Sequence, residues 1–337
     1  MELQKKRILI AGGYGHVGSN IARLIRKNYQ SIELVLAGRN PQNGEEFSKE
    51  LGNAETAYLD LEKRFELKAY GAVDLIITAM EDYNNILQEA AVANGIAYIG
   101  ITGLAEEISP IVFLSLQKTP SAPIVLASHW QAGIVTLAAK QAAKKFSSIN
   151  RIETACLYDE LDPIGPMVVA QWDSFVGKAL LRQQGKWQVV EAKEEGRTFH
   201  LQEGTTITGY PMSTLDVPSI AGITDSPNVR FDLAIGKSIG TNNNLEASHD
   251  LYIDIEGVLL SGKTSRLRTL VSDPKGQSHL TATGVFIIME GIFGLGGQTA
   301  PEKGGIFIPE TLLSIDTAIT RLQEFGIIIT EEETPVN

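Results

Sequence analysis

A run of closely spaced glycines, Gly12-Gly13-Tyr14-Gly15-His16-Val17-Gly18, constrains this chain more than any other feature. Ahead of it Arg7–Ala11 reads as a strand, and behind it Ile21, Leu24 and Ile25 fall on one helical face. The run can be written G-x-G-x-x-G from Gly13 or G-x-x-G-x-x-G from Gly12. In either register the first glycine permits a tight turn, the middle one lets a ligand approach the backbone, and the last lets helix and strand pack closely. Free amides at the start of such a helix, reinforced by its dipole, favour a pyrophosphate. The strand–turn–helix context predicts a dinucleotide-binding turn in which Gly12, Gly13, Tyr14, Gly15, His16, Val17 and Gly18 line the cofactor. His16, inside the turn, is placed toward phosphate or ribose.

Alternation of strand and helix continues to about residue 127. Glu33–Ala37, Glu55–Leu59, Asp74–Thr78, Ile96–Ile99 and Ile124–Leu126 read as strands, and a helix over Tyr83–Asn94 stops at Gly95. This rhythm predicts an α/β Rossmann unit, a doubly wound parallel sheet with helices on both faces. After Ser128 the texture changes. Ile134–Phe146 is helical, and then Arg151–Tyr158, Thr198–Leu201, Val229–Ile235, Leu251–Leu259 and Ser265–Val271 come with period-two alternation and no long helices between them. That predicts a second, α+β domain on a mixed or antiparallel sheet. Ser278–Phe293 and Pro309–Phe325 read as helices separated by a glycine-rich loop, and Glu331-Glu332-Glu333 as a solvated tail.

The second strand decides the cofactor. Units that bind NAD(H) place an acidic residue about 20 positions beyond the glycine motif, for the ribose hydroxyls. Here the chain has Gly38-Arg39-Asn40 and no carboxylate. Arg39 supplies a cation for a 2′-phosphate and Gly38 leaves room for it, so NADP(H) is expected ahead of NAD(H). Asp60 and Leu61, after the third strand, are placed to flank the adenine; the other reading is that Asp60 caps the next helix. Thr78, Ala79 and Met80 end the fourth strand beside the topological switch point, where the nicotinamide ribose would lie.

Composition narrows the function. A formal net charge of −11 argues against non-specific nucleic-acid binding. Cys156 is the only cysteine, which leaves no disulfide framework and fits a reducing cytoplasm. The charged segment Met1–Arg7 leads into an apolar run too short for a signal-peptide core, and no apolar stretch is long enough to span a membrane. The histidines lack ligand spacing, so no metal site is expected.

Arg7–Gly18, Leu36–Arg39 and the segment Ala90–Gly103, which includes Tyr98-Ile99-Gly100-Ile101-Thr102-Gly103, resemble the NADP-binding domain of the saccharopine dehydrogenase (saccharopine reductase) family. The layout of the remainder, with Thr281-Ala282-Thr283-Gly284 and Gly305-Ile306-Phe307-Ile308-Pro309-Glu310, is similar more loosely. The resemblance implies redox chemistry at C–N bonds of amino-acid-derived substrates and a second domain that carries substrate and a homodimer contact. It also implies a chain that returns to its first domain at the end. The expected division is 1–127 plus about 294–330 for the Rossmann domain and 128–293 for the other, with Leu312, Ile315, Ile319 and Leu322 packed on the former. Two departures stand out. Tyr98-Ile99-Gly100 replaces the family's Tyr-x-Asp, and Gln131-Ala132-Gly133 replaces its Asp-Pro-Gly, so an acid becomes an amide that cannot exchange a proton.

For chemistry, His129 comes after the sixth strand at the ligand-binding edge and could move a proton, or could simply pack at a hinge beside Trp130. Gln131 is its companion candidate. The Tyr-x-x-x-Lys signature of short-chain dehydrogenases is absent, since none of the nine tyrosines has a lysine four residues on. Arg230, Arg266 and Arg268 could hold substrate carboxylates or lie on a sheet surface, and Asp159-Glu160 and Asp162 read as a solvated acidic turn. The expectation is an NADP(H)-dependent oxidoreductase acting on a small polar substrate. The alternative is a protein that binds NADP(H) as a redox sensor without turnover.

Overall fold

The computed structural model describes residues 5–101, 105–165 and 177–334. Residues 1–4 of the charged leader and Thr102-Gly103 of the family-like segment lie outside the described residues. The chain divides into two compact units, Met1–Ser128 with Thr281–Ser314 and His129–Leu280 with Ile315–Asn337.

The first unit is built on seven parallel strands. These are β1 (Arg7–Ala11), β2 (Glu33–Gly38), β3 (Ala54–Tyr58), β4 (Leu75–Thr78), β5 (Ala97–Gly100), β6 (Pro123–Leu126) and β15 (Gly305–Phe307), in the order β15-β6-β5-β4-β1-β2-β3. Strands β1, β2 and β4 are almost wholly apolar and buried, as a sheet covered on both faces requires. Helices α1 (His16–Asn28), α2 (Glu45–Leu51), α3 (Ile86–Asn94) and α4 (Ala105–Gln117) connect them. Helix α1 buries Ile21, Leu24 and Ile25, the residues its periodicity singled out, each contributing roughly 1.5–3 kcal/mol of hydrophobic stabilisation. The chain runs from β1 to β2 and β3 on one side, then to β4 on the other. The switch point therefore lies between β1 and β4.

In the second unit, α5 (Ile134–Ala143) leads into β7 (Phe146–Tyr158), then β8 (Lys178–Gln183), β9 (Lys186–Glu191), β10 (Arg197–His200) and β11 (Thr206–Pro211). Then come α6 (Asp216–Thr224), β12 (Val229–Ile235), α7 (Ile239–Asn242), β13 (His249–Leu259), β14 (Thr264–Asp273) and α8 (Gln277–Phe293). The sheet runs β10-β11-β12-β7-β13-β14-β16, with the β8–β9 hairpin attached to β12; its last strand is β16 (Ile328–Thr334). Among the described residues only β12 and β7 pair in parallel, so the sheet is mixed. Helix α5 lies on it against β7, β13 and β14.

Three expectations need correction. The return into the first unit spans Thr281–Ser314, which holds the second part of α8, β15, paired with β6 through Ile306↔Ile124, and Leu312, whereas Ile315, Ile319 and Leu322 fall in the second unit. The terminal helix is two pieces, α9 (Pro309–Leu312) and α10 (Ile315–Glu324), because Leu313 is extended at φ −98° and ψ 143°. Helix α10 belongs to the second unit: Ile315, Ala318 and Leu322 are buried, it packs on α5, and Lys144 pairs with Asp316 at 2.8 Å. Finally, Glu331-Glu332-Glu333 is no free tail but part of β16, an edge strand paired antiparallel with β14. Its glutamates meet Lys145 and Lys263, and such charges on an edge discourage further strand addition.

Candidate functional site

The glycine turn sits at the switch point, and each glycine answers to a neighbour. Gly12 has φ +77°, and a Cβ there would lie 2.8 Å from the Ala79 carbonyl oxygen, at the end of β4. Gly13 presses on β2, where a Cβ would come 2.8 Å from Leu36 Cα. A Cβ on Gly18 would overlap the Gly12 carbonyl, so this glycine is what lets α1 approach the strand. Gly15 differs: a Cβ would meet only the Gly12 oxygen, at 3.2 Å, and otherwise face open space. The positive φ at Gly12 selects the G-x-x-G-x-x-G register, with Gly12 as the turn, Gly15 as the open position and Gly18 as the packing contact.

Gly15 is the N-cap of α1, no side chain caps the helix, and its first turn carries no acidic residue. The Gly12 amide is held by Ala37 O at 2.8 Å, and the Gly15 amide by Gly12 O at 2.9 Å. Beyond them the helix start offers its amides and its dipole outward, a place suited to an anion. The residues present therefore fit the pyrophosphate of a dinucleotide.

At the end of β2, Gly38 is buried and Arg39 and Asn40 are exposed. The space beside Gly38 is taken by Tyr14, whose hydroxyl a Cβ on Gly38 would overlap. The same ring lies against Gly44, where a Cβ would meet Tyr14 Cδ1 at 2.6 Å. The Asn40 amide donates to Tyr14 Oη at 3.2 Å. Asp60 accepts from the Glu62 amide at 3.2 Å and from the Tyr58 hydroxyl at 3.1 Å within a turn at which no helix begins, which corrects the helix-capping reading, while Leu61 joins the core of the unit. Thr78 is fully buried, and its hydroxyl donates to Ile99 O at 3.2 Å, so this side chain serves the sheet rather than its ligand edge. Ala79 and Met80 flank the turn, the latter with its Cβ 3.3 Å from where a Cβ on Gly12 would lie.

His129 and Gln131 belong to the second unit, where both are buried. His129 Nε2 lies 2.7 Å from Ser219 Oγ, and burial pushes its imidazole from the ordinary 6.5 down to about 3. Near neutrality it carries no imidazolium proton, which corrects the expectation of a titrating acid at this position. The Gln131 amide lies 3.0 Å from His249 Nε2, and Trp130 Nε1 donates to the same nitrogen at 3.1 Å. Around them Gln131, Ala132 and Gly133 are consecutively left-handed, with φ of 53°, 53° and 91°. For two non-glycine residues this costs about 1–3 kcal/mol each. Asp216 secures the turn, accepting the Trp130 amide at 2.8 Å and the Thr136 hydroxyl at 3.2 Å. Spacing gave no sign of His249 or Asp216, because both come from far along the chain.

His129 also sets a pH dependence. Its folded value is depressed relative to the unfolded chain, so the stability it contributes is present above pH 6.5 and is lost as pH falls toward 3. The slope is about 1.4 kcal/mol per pH unit. His129→Gln is expected to flatten the decline in urea-unfolding free energy between pH 6.5 and 4; parallel curves for the two proteins would refute this assignment.

Most of the remaining candidates have partners within the second unit. Arg230 Nη2 meets buried Asp232 at 2.6 Å, and Arg266 and Arg268 meet buried Asp254 at 2.8 and 2.7 Å. Asp159 and Asp162 are buried, not solvated; the first accepts the Ser238 amide at 2.8 Å and the second the Gln277 amide at 2.8 Å. Cys156 is buried in the core, where burial pushes its thiol well above the usual range. Among the described residues no group of His, Cys, Asp and Glu is placed to hold a metal, and no helix is long and apolar enough to cross a membrane.

No protein-family model and no curated protein sequence matches the chain. Solved structures do. Apo saccharopine dehydrogenase (L-Glu forming) from Saccharomyces cerevisiae superposes with a TM-score of 0.71 at 11% identity, covering 98% of this chain and 100% of that one. The chain has the saccharopine dehydrogenase fold. Homospermidine synthase from Legionella pneumophila, solved in complex with NAD, shares this fold at a TM-score of 0.66 and 10% identity, over 99% of this chain and 92% of its own. Scyllo-inositol dehydrogenase from Lactobacillus casei, with bound NAD(H) and scyllo-inositol, superposes at 0.52 and 13%, over 97% and 99%. The saccharopine dehydrogenase fold thus extends over both units, including the mixed sheet that the sequence resembled only loosely.

Proposed function

We propose that this protein is an NADP(H)-dependent oxidoreductase of saccharopine-reductase type, acting at a C=N or C=O carbon of a small polar or amino-acid-derived substrate. The observation that carries the reading is the end of β2, where exposed Arg39 comes after Gly38 with no carboxylate, next to the uncapped start of α1. A guanidinium pairs with a 2′-phosphate, whereas the acidic residue of NAD-binding units would repel it. When bound, the nicotinamide would supply or accept a hydride. The chain's own part begins with the open backbone at Gly15 and the first amides of α1, which would hold the pyrophosphate. Arg39 would pair with the 2′-phosphate, and Ala79 and Met80 would flank the cofactor at the switch point. The similar structures, two dehydrogenases and a synthase solved with NAD, support redox chemistry on this fold. A cytoplasmic homodimer completes the reading, and light scattering measures its oligomeric part.

Arg39→Ala tests the assignment. NADPH binding is expected to weaken by roughly 1.5–3 kcal/mol, the size of a charge-assisted hydrogen bond, with NADH affinity nearly constant. Equal losses for both cofactors in titration calorimetry would defeat it.

One observation favours a second reading, an NADP(H)-binding sensor without turnover. His129 is neutral and bonded to Ser219, and Gln131 is bonded to His249, so neither offers a proton to a substrate. Oxidation of NADPH in a screen of imines and ketones would favour the enzyme; cofactor binding with no turnover across the screen would favour the sensor.

A further inference from the structure

We infer that Tyr14 reads the ribose 2′-substituent of the cofactor, its phenol donating a hydrogen bond to the 2′-phosphate beside the Arg39 guanidinium. This role rests on the proposed NADP(H) preference and adds a specificity-determining residue to it. Tyr14 stands directly before Gly15, so its backbone belongs to the turn that leads into α1. Its side chain crosses from that turn to the end of β2. There the hydroxyl oxygen accepts the Asn40 N–H at 3.2 Å. In a dinucleotide-binding unit the end of β2 is where the ribose 2′-position is recognised.

The crossing is built into the sequence at two glycines. A Cβ at Gly38 would overlap the Tyr14 hydroxyl, and a Cβ at Gly44 would strike its ring at 2.6 Å, with Thr56 Cγ2 3.0 Å from the same point. Gly38 and Gly44 together make a seat for the phenol. Gly38, which the sequence suggested leaves room for the cofactor, makes room for Tyr14.

The hydrogen-bonding chemistry supports a phosphate. A phenol has one donor and acceptor capacity besides. The Asn40 amide occupies the acceptor side, and that amide is the hydroxyl's one hydrogen-bond partner among the described residues, so its proton is available to a ligand. Burial pushes the phenol above its ordinary value, against smaller opposing effects of the Asn40 hydrogen bond and the Arg39 charge, so it is protonated near neutral pH. Arg39, exposed at the end of β2, follows Gly38 directly in the chain. The end of β2 thus carries two donors, the phenol and the Arg39 side chain, and no carboxylate among residues 38–40. A 2′-phosphate offers oxygens to both, whereas the 2′-hydroxyl of NAD(H) offers a single oxygen and its own proton, for which no carboxylate stands ready.

Tyr14→Phe in the full chain removes only the hydroxyl and keeps the ring in its seat. Titration calorimetry with NADPH and with NADH, on wild type and variant, reads the effect. The expected result is NADPH affinity reduced about tenfold and NADH affinity changed less than about twofold, with an unchanged melting temperature. A phenol that only fills the space between Gly38 and Gly44 would leave both affinities as they are or weaken both equally, and either outcome overturns the inference. If the wild-type protein binds NADH as tightly as NADPH, the cofactor reading itself fails. If the wild type prefers NADPH and Tyr14→Phe retains the full preference, the role of Tyr14 alone fails.

Discussion

Gly15→Val will abolish binding of NADPH and NADH alike, by at least about a hundredfold, roughly 3 kcal/mol, while the protein stays folded. Gly15 has φ −78° and ψ −179°, a conformation open to valine. Its Cβ would meet the Gly12 oxygen at 3.2 Å, a tight contact that a shift of a few tenths of an ångström relieves, with no other described atom within 4 Å. The branched methyls would occupy the space that the pyrophosphate needs above the start of α1. Gly18→Val provides the contrast. There a Cβ overlaps the Gly12 carbonyl and presses on Gly13 Cα at 2.9 Å, so α1 must move off the sheet and stability falls. Circular dichroism melts with calorimetric titrations distinguish the two. Cofactor affinity unchanged in Gly15→Val would remove the glycine turn from the site.

The second large effect is on stability, in the mixed sheet. Asp232 has no solvent exposure and accepts Arg197 Nε at 2.8 Å and Arg230 Nε and Nη2 at 3.0 and 2.6 Å. Asp232→Ala leaves two largely buried guanidinium groups without their shared counter-charge, with Arg197 retaining Glu153 at 3.4 Å. Breaking a buried pair from one side in this way costs about 3–5 kcal/mol. Urea unfolding at neutral pH measures it. A loss below about 1 kcal/mol would mean that the arginines relax into water, which would return Arg230 to the group of possible substrate ligands.

The Rossmann unit was legible in the sequence because its signals are local. Strand β1, the glycine turn and α1 succeed one another within a short stretch, and the buried run Leu34–Ala37 marks β2 directly. Other features escaped because their causes are distant in sequence or their local pattern is weak. Strand β15 has only three residues, and its pairing with β6 fixes it, not its own pattern. The β8–β9 hairpin alternates weakly because β9 is mostly exposed, and β16 carries a run of glutamates that reads as tail until β14 is seen beside it.

The site divided in the same way. Gly12, Gly15 and Gly18 could be assigned tasks from spacing alone, although only the positive φ at Gly12 chose between the registers. Arg39 was visible as a missing carboxylate. Tyr14 stood in the motif, but its reach to Asn40 depends on Gly38 and Gly44, which no motif connects. His129 and Gln131 were placed by their position after the sixth strand. Their burial and their partners Ser219 and His249 arise from the other unit's packing, which sequence periodicity does not report.

The most direct test of the central claim is a calorimetric titration of the wild-type protein with NADPH and with NADH under the same low-phosphate conditions. Both are expected to bind, NADPH at least about tenfold more tightly, a difference of roughly 1.4 kcal/mol or more. Binding of neither cofactor, or a preference for NADH, would contradict it.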